Sequence, residues 1–165
     1  MVVKDFMPRI EFETSHTELL DLIIGQFKLD IDAVHGISHW RRVWEIGNYL
    51  AKQTKADIEV VNLFAYFHDA KRQDEYDDLE HGQRASVFIL ELYNKNLLSI
   101  SKSQLDKLLF ACEHHSNSNV KSDDITIQTC WDADRLDLWR IGITPNKLFL
   151  NTAFAKKDKV IKLWR

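Results

Sequence analysis

The sequence predicts an all-α fold, organised as a single-domain helical bundle of about six to seven helices. Glycine and proline together occupy only 7 of 165 positions, so residues that form tight turns are scarce. No segment shows sustained alternation of polar and apolar residues, whereas apolar residues recur at helical spacing in several segments. A hydrophobic content of 45% is sufficient for one core and too high for a disordered chain. We therefore expect one domain over residues 1–165.

Three helices are predicted in the first half of the chain. The first covers roughly residues 15–29, where leucine and isoleucine recur every three to four positions. The second covers about residues 38–54, with Ser38 as its expected N-cap. The third begins after Asp57, another good N-cap residue, and is expected to end at the pair His68-Asp69, because polar and charged residues follow it.

Three further helices are predicted in the second half. The acidic segment 74–80 is expected to be a loop. Helical spacing of apolar residues then indicates a fourth helix around 85–92 and a fifth around 105–112. A sixth is expected over 130–139, before Gly142 ends the pattern.

Charge and composition exclude several classes of partner. The formal net charge is −3, so no overall positive field favours a nucleic-acid polymer or an anionic membrane. Cys112 and Cys130 show no metal-binding spacing and are expected to be small core residues of a reducing compartment. No apolar run is long enough for a signal peptide or a membrane span, so we expect a cytoplasmic protein. The oligomeric state is not predicted.

The histidines are spaced in a way that suggests a shared site. An all-helical bundle can bring several helix ends to one cavity, where imidazole nitrogens and carboxylate oxygens bind a divalent metal. The residues concerned are His35 and His39, the pair His68-Asp69, His81 after the acidic loop, and the adjacent His114 and His115.

Four separated blocks carry a resemblance to a known family. They are DAVHGISHWRRV at 32–43, FHDAKR at 67–72, EHHS at 113–116 and WDADRLD at 131–137. In order and spacing they resemble the motifs of the HD-domain superfamily of metal-dependent phosphohydrolases. The first block looks like the family's D-x-x-H-G-x-x-H-x-x-R-V opening, and the second contains the paired His-Asp that names it. The resemblance extends over residues 32–145 and implies an HD-like fold.

The resemblance implies a metal site with four protein ligands: His39, His68, Asp69 and Asp134. Two imidazoles and two carboxylates suit Mn, Fe or Co, tolerate Zn, and leave positions for water. Magnesium is a further candidate, so the cofactor is expected to be a divalent metal ion of unspecified identity.

The resemblance also implies a reaction, the hydrolysis of a phosphate ester or anhydride by a metal-activated water. The expected partner is a small-molecule phosphate compound, such as a nucleotide. Substrates of this kind are polyanions, so Lys71 and Arg72 are expected to bind them, and His35 is expected to line the pocket. His81 and His115 are expected to act in catalysis together with Arg72, with His81 able to protonate a leaving oxygen.

The aspartates around Asp134 are expected to differ in role. Asp137 lies three positions further on, nearly on the same helical face, where it could orient a metal ligand. Asp132 lies two positions earlier and points elsewhere.

One departure from the family and two alternatives remain open. HD-type 5′-nucleotidases and guanosine tetraphosphate hydrolases place a carboxylate three residues beyond the paired Asp, where this chain has Arg72. The chain resembles instead the small, stand-alone HD hydrolases. The alternatives are a noncatalytic metal-binding signalling module, and an HD-type di-iron oxygenase in which His81 and His115 bind a second metal.

Overall fold

The structure is a computed structural model that describes residues 9–165, so residues 1–8 of the predicted domain lie outside it. The predicted all-α fold is confirmed, and no strand occurs within the described range. Two 3-10 helices, Asp137–Ile141 and Lys147–Phe149, accompany the α-helices there. The α-helices are α1 (Arg9–Thr14), α2 (Thr17–Gln26), α3 (Ile37–Thr54), α4 (Ile58–Phe67), α5 (His81–Asn94), α6 (Lys102–His114), α7 (Ile125–Leu136) and α8 (Asp158–Leu163).

The start of α4 is as predicted, whereas the start of α3 is not. The Asp57 side chain accepts hydrogen bonds from the first backbone N–H groups of α4, which have no partner inside the helix. Ser38 is not the N-cap of α3, because Gly36 occupies that position and Ser38 lies inside the helix. The chain turns so tightly here that a Cβ atom at Gly36 would lie 1.9 Å from the carbonyl oxygen of Ile31. Only glycine fits this approach.

The helix α4 forms the centre of the molecule. All its residues from Val60 to Phe67 are buried except Asn62, so the helix is apolar on nearly every face. It packs against α3, α6 and α7, while α5 covers α6. Burial of such a helix against three neighbours removes a large apolar area from water, which favours this arrangement.

This packing brings one end of several helices together. His39 lies in the first turn of α3, and His68 follows the last residue of α4. His81 begins α5, and His115 follows the last residue of α6. Asp134 lies in the last turn of α7. Five helices thus present polar side chains at one end of the bundle.

Two further properties of the described residues bear on the sequence-based expectations. None of the helices within residues 9–165 combines the length and the apolar character needed to cross a bilayer. Cys112 and Cys130 are both buried and unoxidised, as expected for small core residues.

A close approach of α5 to α6 predicts the effect of one substitution. A Cβ atom at Gly82 would lie 2.5 Å from the carbonyl oxygen of Cys112 and 2.7 Å from that of Glu113. We expect Gly82→Ala to lower the free energy of unfolding by about 1–3 kcal/mol, because two backbones must move apart. Urea denaturation measures the change.

The control for this prediction is Gly25→Ala. No atom lies within 4 Å of a Cβ placed at Gly25, which lies near the end of α2. Alanine there should leave stability unchanged or raise it by up to about 1 kcal/mol, because alanine favours helix. Equal effects of the two substitutions would contradict the close approach of α5 to α6.

Candidate metal centre

The four expected metal ligands lie together in the structure. The Nε2 atoms of His39 and His68 are 3.0 Å apart. Asp69 Oδ2 lies 3.4 Å from the His39 Nε2 and 3.5 Å from the His68 Nε2. Asp134 Oδ1 lies 3.3 Å and 3.8 Å from the same two nitrogens. The Asp134 side chain is 20% exposed while the others are buried, so this group opens to solvent on the side of Asp134.

A second group of the same kind adjoins the first. The Nε2 atoms of His81 and His115 are 2.9 Å apart, and both residues are buried. Asp69 Oδ1 lies 3.3 Å from the His81 Nε2 and 3.5 Å from the His115 Nε2. The two oxygens of Asp69 therefore face different histidine pairs. We call the first group site 1 (His39, His68, Asp69 and Asp134) and the second site 2 (Asp69, His81 and His115).

The spacing of these atoms fits metal coordination. Ligands about 2.1 Å from one ion are about 3.0 Å apart at neighbouring octahedral positions and about 3.4 Å apart at tetrahedral ones. The distances in both sites run from 2.9 to 3.8 Å. The mixed imidazole and carboxylate donors suit divalent transition metals. Both sites can therefore hold a divalent ion, and Asp69 can contribute one oxygen to each.

The outer nitrogen of each histidine has an acceptor of its own. Three of the four acceptors are backbone carbonyls, and an Nδ1 that donates its hydrogen leaves Nε2 as the acceptor atom that faces the site. Metal-binding histidines are oriented by outer hydrogen bonds of this type. The Nδ1 atoms pair as follows: His39 with Asp137 Oδ2 at 2.6 Å, His68 with the Phe64 carbonyl at 3.1 Å, His115 with the Cys112 carbonyl at 2.7 Å, and His81 with the Asp78 carbonyl.

Without metal, site 1 attracts a proton instead. Burial disfavours a charged His39, but the carboxylates of Asp134, Asp137 and Asp69 outweigh it and raise the His39 pKa to about 10. Burial lowers the pKa of His68 to about 3, so that partner stays neutral. His39 therefore carries the proton, and its Nε2 faces the Nε2 of neutral His68. The positive charge offsets the nearby carboxylates.

In site 2, too, the pKa of one histidine is lowered and that of the other is raised. Burial and the charge of His115 lower the pKa of His81 to about 4. Burial opposes charge on His115 as well, but hydrogen bonding to Asp69 raises its pKa. Burial alone would raise the pKa values of Asp69 and Asp134, yet the surrounding histidines hold both well below their usual range. Both carboxylates are therefore ionised and able to bind metal at neutral pH.

Asp137 connects site 1 to two arginines. Its Oδ2 pairs with the Nδ1 of His39, the kind of orienting contact expected from its position after Asp134. Its Oδ1 accepts a hydrogen bond of 2.7 Å from the Nε of Arg42, and the Nη1 of Arg140 lies 3.7 Å from Oδ2. These arginines offset the charge of a buried carboxylate and hold it against His39.

Arg72 and His35 lie beside the two sites. The Nε of Arg72 donates to Asp69 Oδ1 at 3.1 Å, and its Nη1 donates to the carbonyl of Asp74 at 3.0 Å. The His35 ring is 6.1 Å from the His39 ring, and its Nδ1 pairs with Glu75 Oε2 at 2.5 Å. The structure thus brings Arg72 and His35 to the edge of site 1 and site 2.

Lys71 is the expected site residue that the structure does not bring to either site. Its ammonium group lies over the ring of Phe88, 4.3 Å from the ring centre, on the outer face of α5. Lys71 belongs to the turn after α4, and its side chain leaves this turn toward Phe88.

Sequence reasoning missed Glu75 and Arg42 as contacts of the site. Glu75 is one of several acidic residues in its segment, and no local pattern distinguishes it from its neighbours. Arg42 lies three residues after His39 and was visible in the motif, but its partner Asp137 is 95 positions away. Only the tertiary fold brings such pairs together.

Asp132 serves a different part of the molecule. Its carboxylate is buried and accepts hydrogen bonds from the backbone and side chain of both Asn151 and Thr152. These bonds attach the segment after the second 3-10 helix to α7. Asp132 does point away from Asp134 and holds no position in site 1 or site 2.

Comparison with known proteins supports the same fold. No family model and no curated protein matches the chain. Among solved structures, it is similar to the crystal structure of a predicted HD superfamily hydrolase from an uncultured Thermotogales bacterium. The TM-score is 0.64 at 25% identity, over 88% of this chain and 82% of the other. The chain has an HD-domain fold. The expected HD pair, His68 and Asp69, lies at site 1, and Asp69 also contacts His81 of site 2.

The first site prediction compares Asp134 with Asp132. We expect Asp134→Asn to lower metal affinity at least about tenfold while the fold survives, because a neutral amide is a weaker ligand for a divalent cation. Asp132→Asn should instead lower thermal stability and leave metal content unchanged, because Asp132 binds only Asn151 and Thr152. Metal analysis and thermal unfolding of both variants check this, and loss of metal from the Asp132 variant would refute the assignment.

The second site prediction concerns pH. The raised pKa of His39, about 10, means that metal-free protein carries a proton at site 1 at pH 7, and a bound ion must displace it. Affinity for Mn²⁺ should therefore rise with pH by up to about tenfold per unit between pH 6.5 and 8.5. Calorimetric titration in buffers of different ionisation enthalpy measures both the affinity and the released protons. Constant affinity without proton release would show that the site is not protonated as described.

Proposed function

We propose that this protein is a metal-dependent phosphohydrolase that cleaves a phosphate ester or anhydride of a small soluble compound, such as a nucleotide. One observation supports this most directly: the buried carboxylate of Asp69 turns one oxygen toward each of two histidine pairs. Two adjacent sites of this type suit displacement at phosphorus. The similar crystal structure is that of a predicted HD superfamily hydrolase, which agrees with this reaction class.

Under this proposal, six residues would hold the ions. Site 1 would use His39, His68 and Asp134, site 2 would use His81 and His115, and Asp69 would contribute to both. Divalent ions there would polarise a phosphoryl oxygen and supply a nucleophilic water near neutral pH.

The proposal changes the roles of His81 and His115. Both were expected to act on the substrate, with His81 as a proton donor. A pKa of about 4 leaves His81 neutral at pH 7, which suits a metal ligand better than an acid. Its Nδ1 is also committed to the carbonyl of Asp78, so only Nε2 can act, and that atom faces His115.

Arg72 acts on Asp69 in this proposal more than on the substrate. Its Nε hydrogen bond fixes the oxygen that Asp69 turns toward site 2. This guanidinium also carries a positive charge next to the ions, where it would attract a polyanionic substrate. The carboxylate that nucleotidases of the family place at this position is absent, so the proposal does not extend to their specificity.

His35 is the proposed contact to the substrate. It lies next to His39 but outside both sites, and its Nδ1 is held by Glu75. That hydrogen bond fixes the ring and leaves Nε2 as the atom that can meet a phosphate oxygen or a leaving group. We propose that Glu75 positions His35 in this role.

The test of the proposed function is a hydrolysis screen of nucleotides, sugar phosphates and an aryl phosphate. The protein is loaded separately with Mn²⁺, Co²⁺, Mg²⁺ and Zn²⁺. We expect turnover with at least one ion, and a loss of at least about 10²-fold in Asp69→Asn, because that residue contributes to both sites. His16→Gln is a matched control, since His16 pairs with Glu59 away from the sites.

Three results would contradict the proposal. Full metal loading without hydrolysis of any compound would favour a noncatalytic signalling module. Oxygen consumption and visible absorbance in the iron-loaded protein would favour a di-iron oxygenase. Equal loss of turnover in the Asp69 variant and the His16 control would show that the activity does not depend on the shared carboxylate.

A further inference from the structure

A cleft of about 300 Å³ lies outside both metal-binding sites. It is bounded by the end of α2, the turn after the HD pair, and the outer face of α5. None of the six residues of site 1 and site 2 lines it, and the volume is at the lower end of cavities that bind small ligands. Most of the lining residues carry a charge or an amide group: Lys28, Lys71, Arg72, Arg84, Glu91, Gln26, Gln73 and Gln83.

The charge of the lining is predominantly positive. Four cationic side chains contribute, and Glu91 is the one carboxylate among the lining residues. Arg72 and Arg84 pair with Asp69 and Asp78, two aspartates outside the lining. Lys28 and Lys71 are the other two cations of the lining, so the cleft as a whole favours an anion.

The side chain of Gln26 forms a fixed part of the cleft wall. Its Nε2 donates to the carbonyls of Ile23 and Ala70, which fixes the orientation of the amide. Its Oε1 is buried and has no hydrogen-bond partner within residues 9–165. Because this oxygen has almost no accessible surface, a ligand in the cleft does not reach it, and Gln26 acts as a fixed part of the wall.

We propose that this cleft binds a small phosphorylated ligand, separately from the metal centre. The phosphate would lie near Lys28 and Lys71, where Asp69 and Asp78 do not offset the positive charge of the lining. Phe88 provides an apolar wall, with the Lys71 ammonium group directly over its ring. The proposal does not depend on hydrolysis at site 1 or site 2, because it requires only equilibrium binding.

Calorimetric titration with pyrophosphate, in buffer without divalent cations, tests the proposal. We expect binding to the wild type and at least about tenfold weaker binding to Lys71→Met, which keeps the apolar stem and removes the charge. Val87→Glu should weaken binding similarly, because Val87 lines the cleft, is 54% exposed, and tolerates a polar side chain. Lys52→Met, a change of the same type at an exposed position on α3, should bind as the wild type does.

Asp134→Asn separates the cleft from the metal centre. It removes a site 1 ligand and should leave pyrophosphate affinity unchanged if the anion binds in the cleft. Without divalent cations, Asp134 would repel an anion at site 1, so tighter binding to Asp134→Asn, with no effect of Lys71→Met or Val87→Glu, would place the anion at the metal centre and overturn the proposal. Absence of binding to the wild type, or equal weakening by Lys52→Met, would overturn it as well. Circular dichroism of each variant shows that it is folded before its affinity is compared.

Discussion

The buried carboxylate of Asp69 is the group on which the rest of this site depends. A carboxylate in a protein interior is unfavourable unless it is paired and hydrogen-bonded, and Asp69 meets four imidazoles and the guanidinium of Arg72. Its position just past the end of α4 makes this possible, because the side chain there faces histidines of α3, of α5 and at the end of α6. The apolar body of α4 holds that end at the centre of the bundle.

The two buried histidine pairs each need a cation next to their facing Nε2 atoms. Within each site, two imidazole Nε2 atoms lie about 3 Å apart, and their Nδ1 atoms already donate to acceptors outside. Facing acceptor atoms repel unless a proton or a metal ion lies between them. Against the effect of burial, nearby carboxylates raise the pKa of His39 and of His115, whereas burial lowers the pKa of His68 and of His81, so each site favours a cation. Metal binding and proton release are therefore coupled in this protein.

The sequence predicts the fold and much of the site because those features have local signals. The apolar periodicity indicated α4 and its end at the HD pair, and the spacing of Asp137 after Asp134 indicated a common face. The start of α3 differs from the prediction, and Lys71 lies outside both metal-binding sites, because these positions depend on how the chain turns around Gly36 and after Asp69. The pairing of Glu75 with His35 requires a loop to fold back over 40 positions, and no pattern in the sequence marks that.

The central claim is that Asp69 joins two metal-binding sites, and anomalous diffraction from crystals soaked in Mn²⁺ tests it most directly. The account predicts two anomalous peaks about 3.5–4 Å apart, with one oxygen of Asp69 next to each. One peak should lie by His39, His68 and Asp134, and the other by His81 and His115. A single peak that contacts only one histidine pair, or peaks confined to other parts of the molecule, would contradict it.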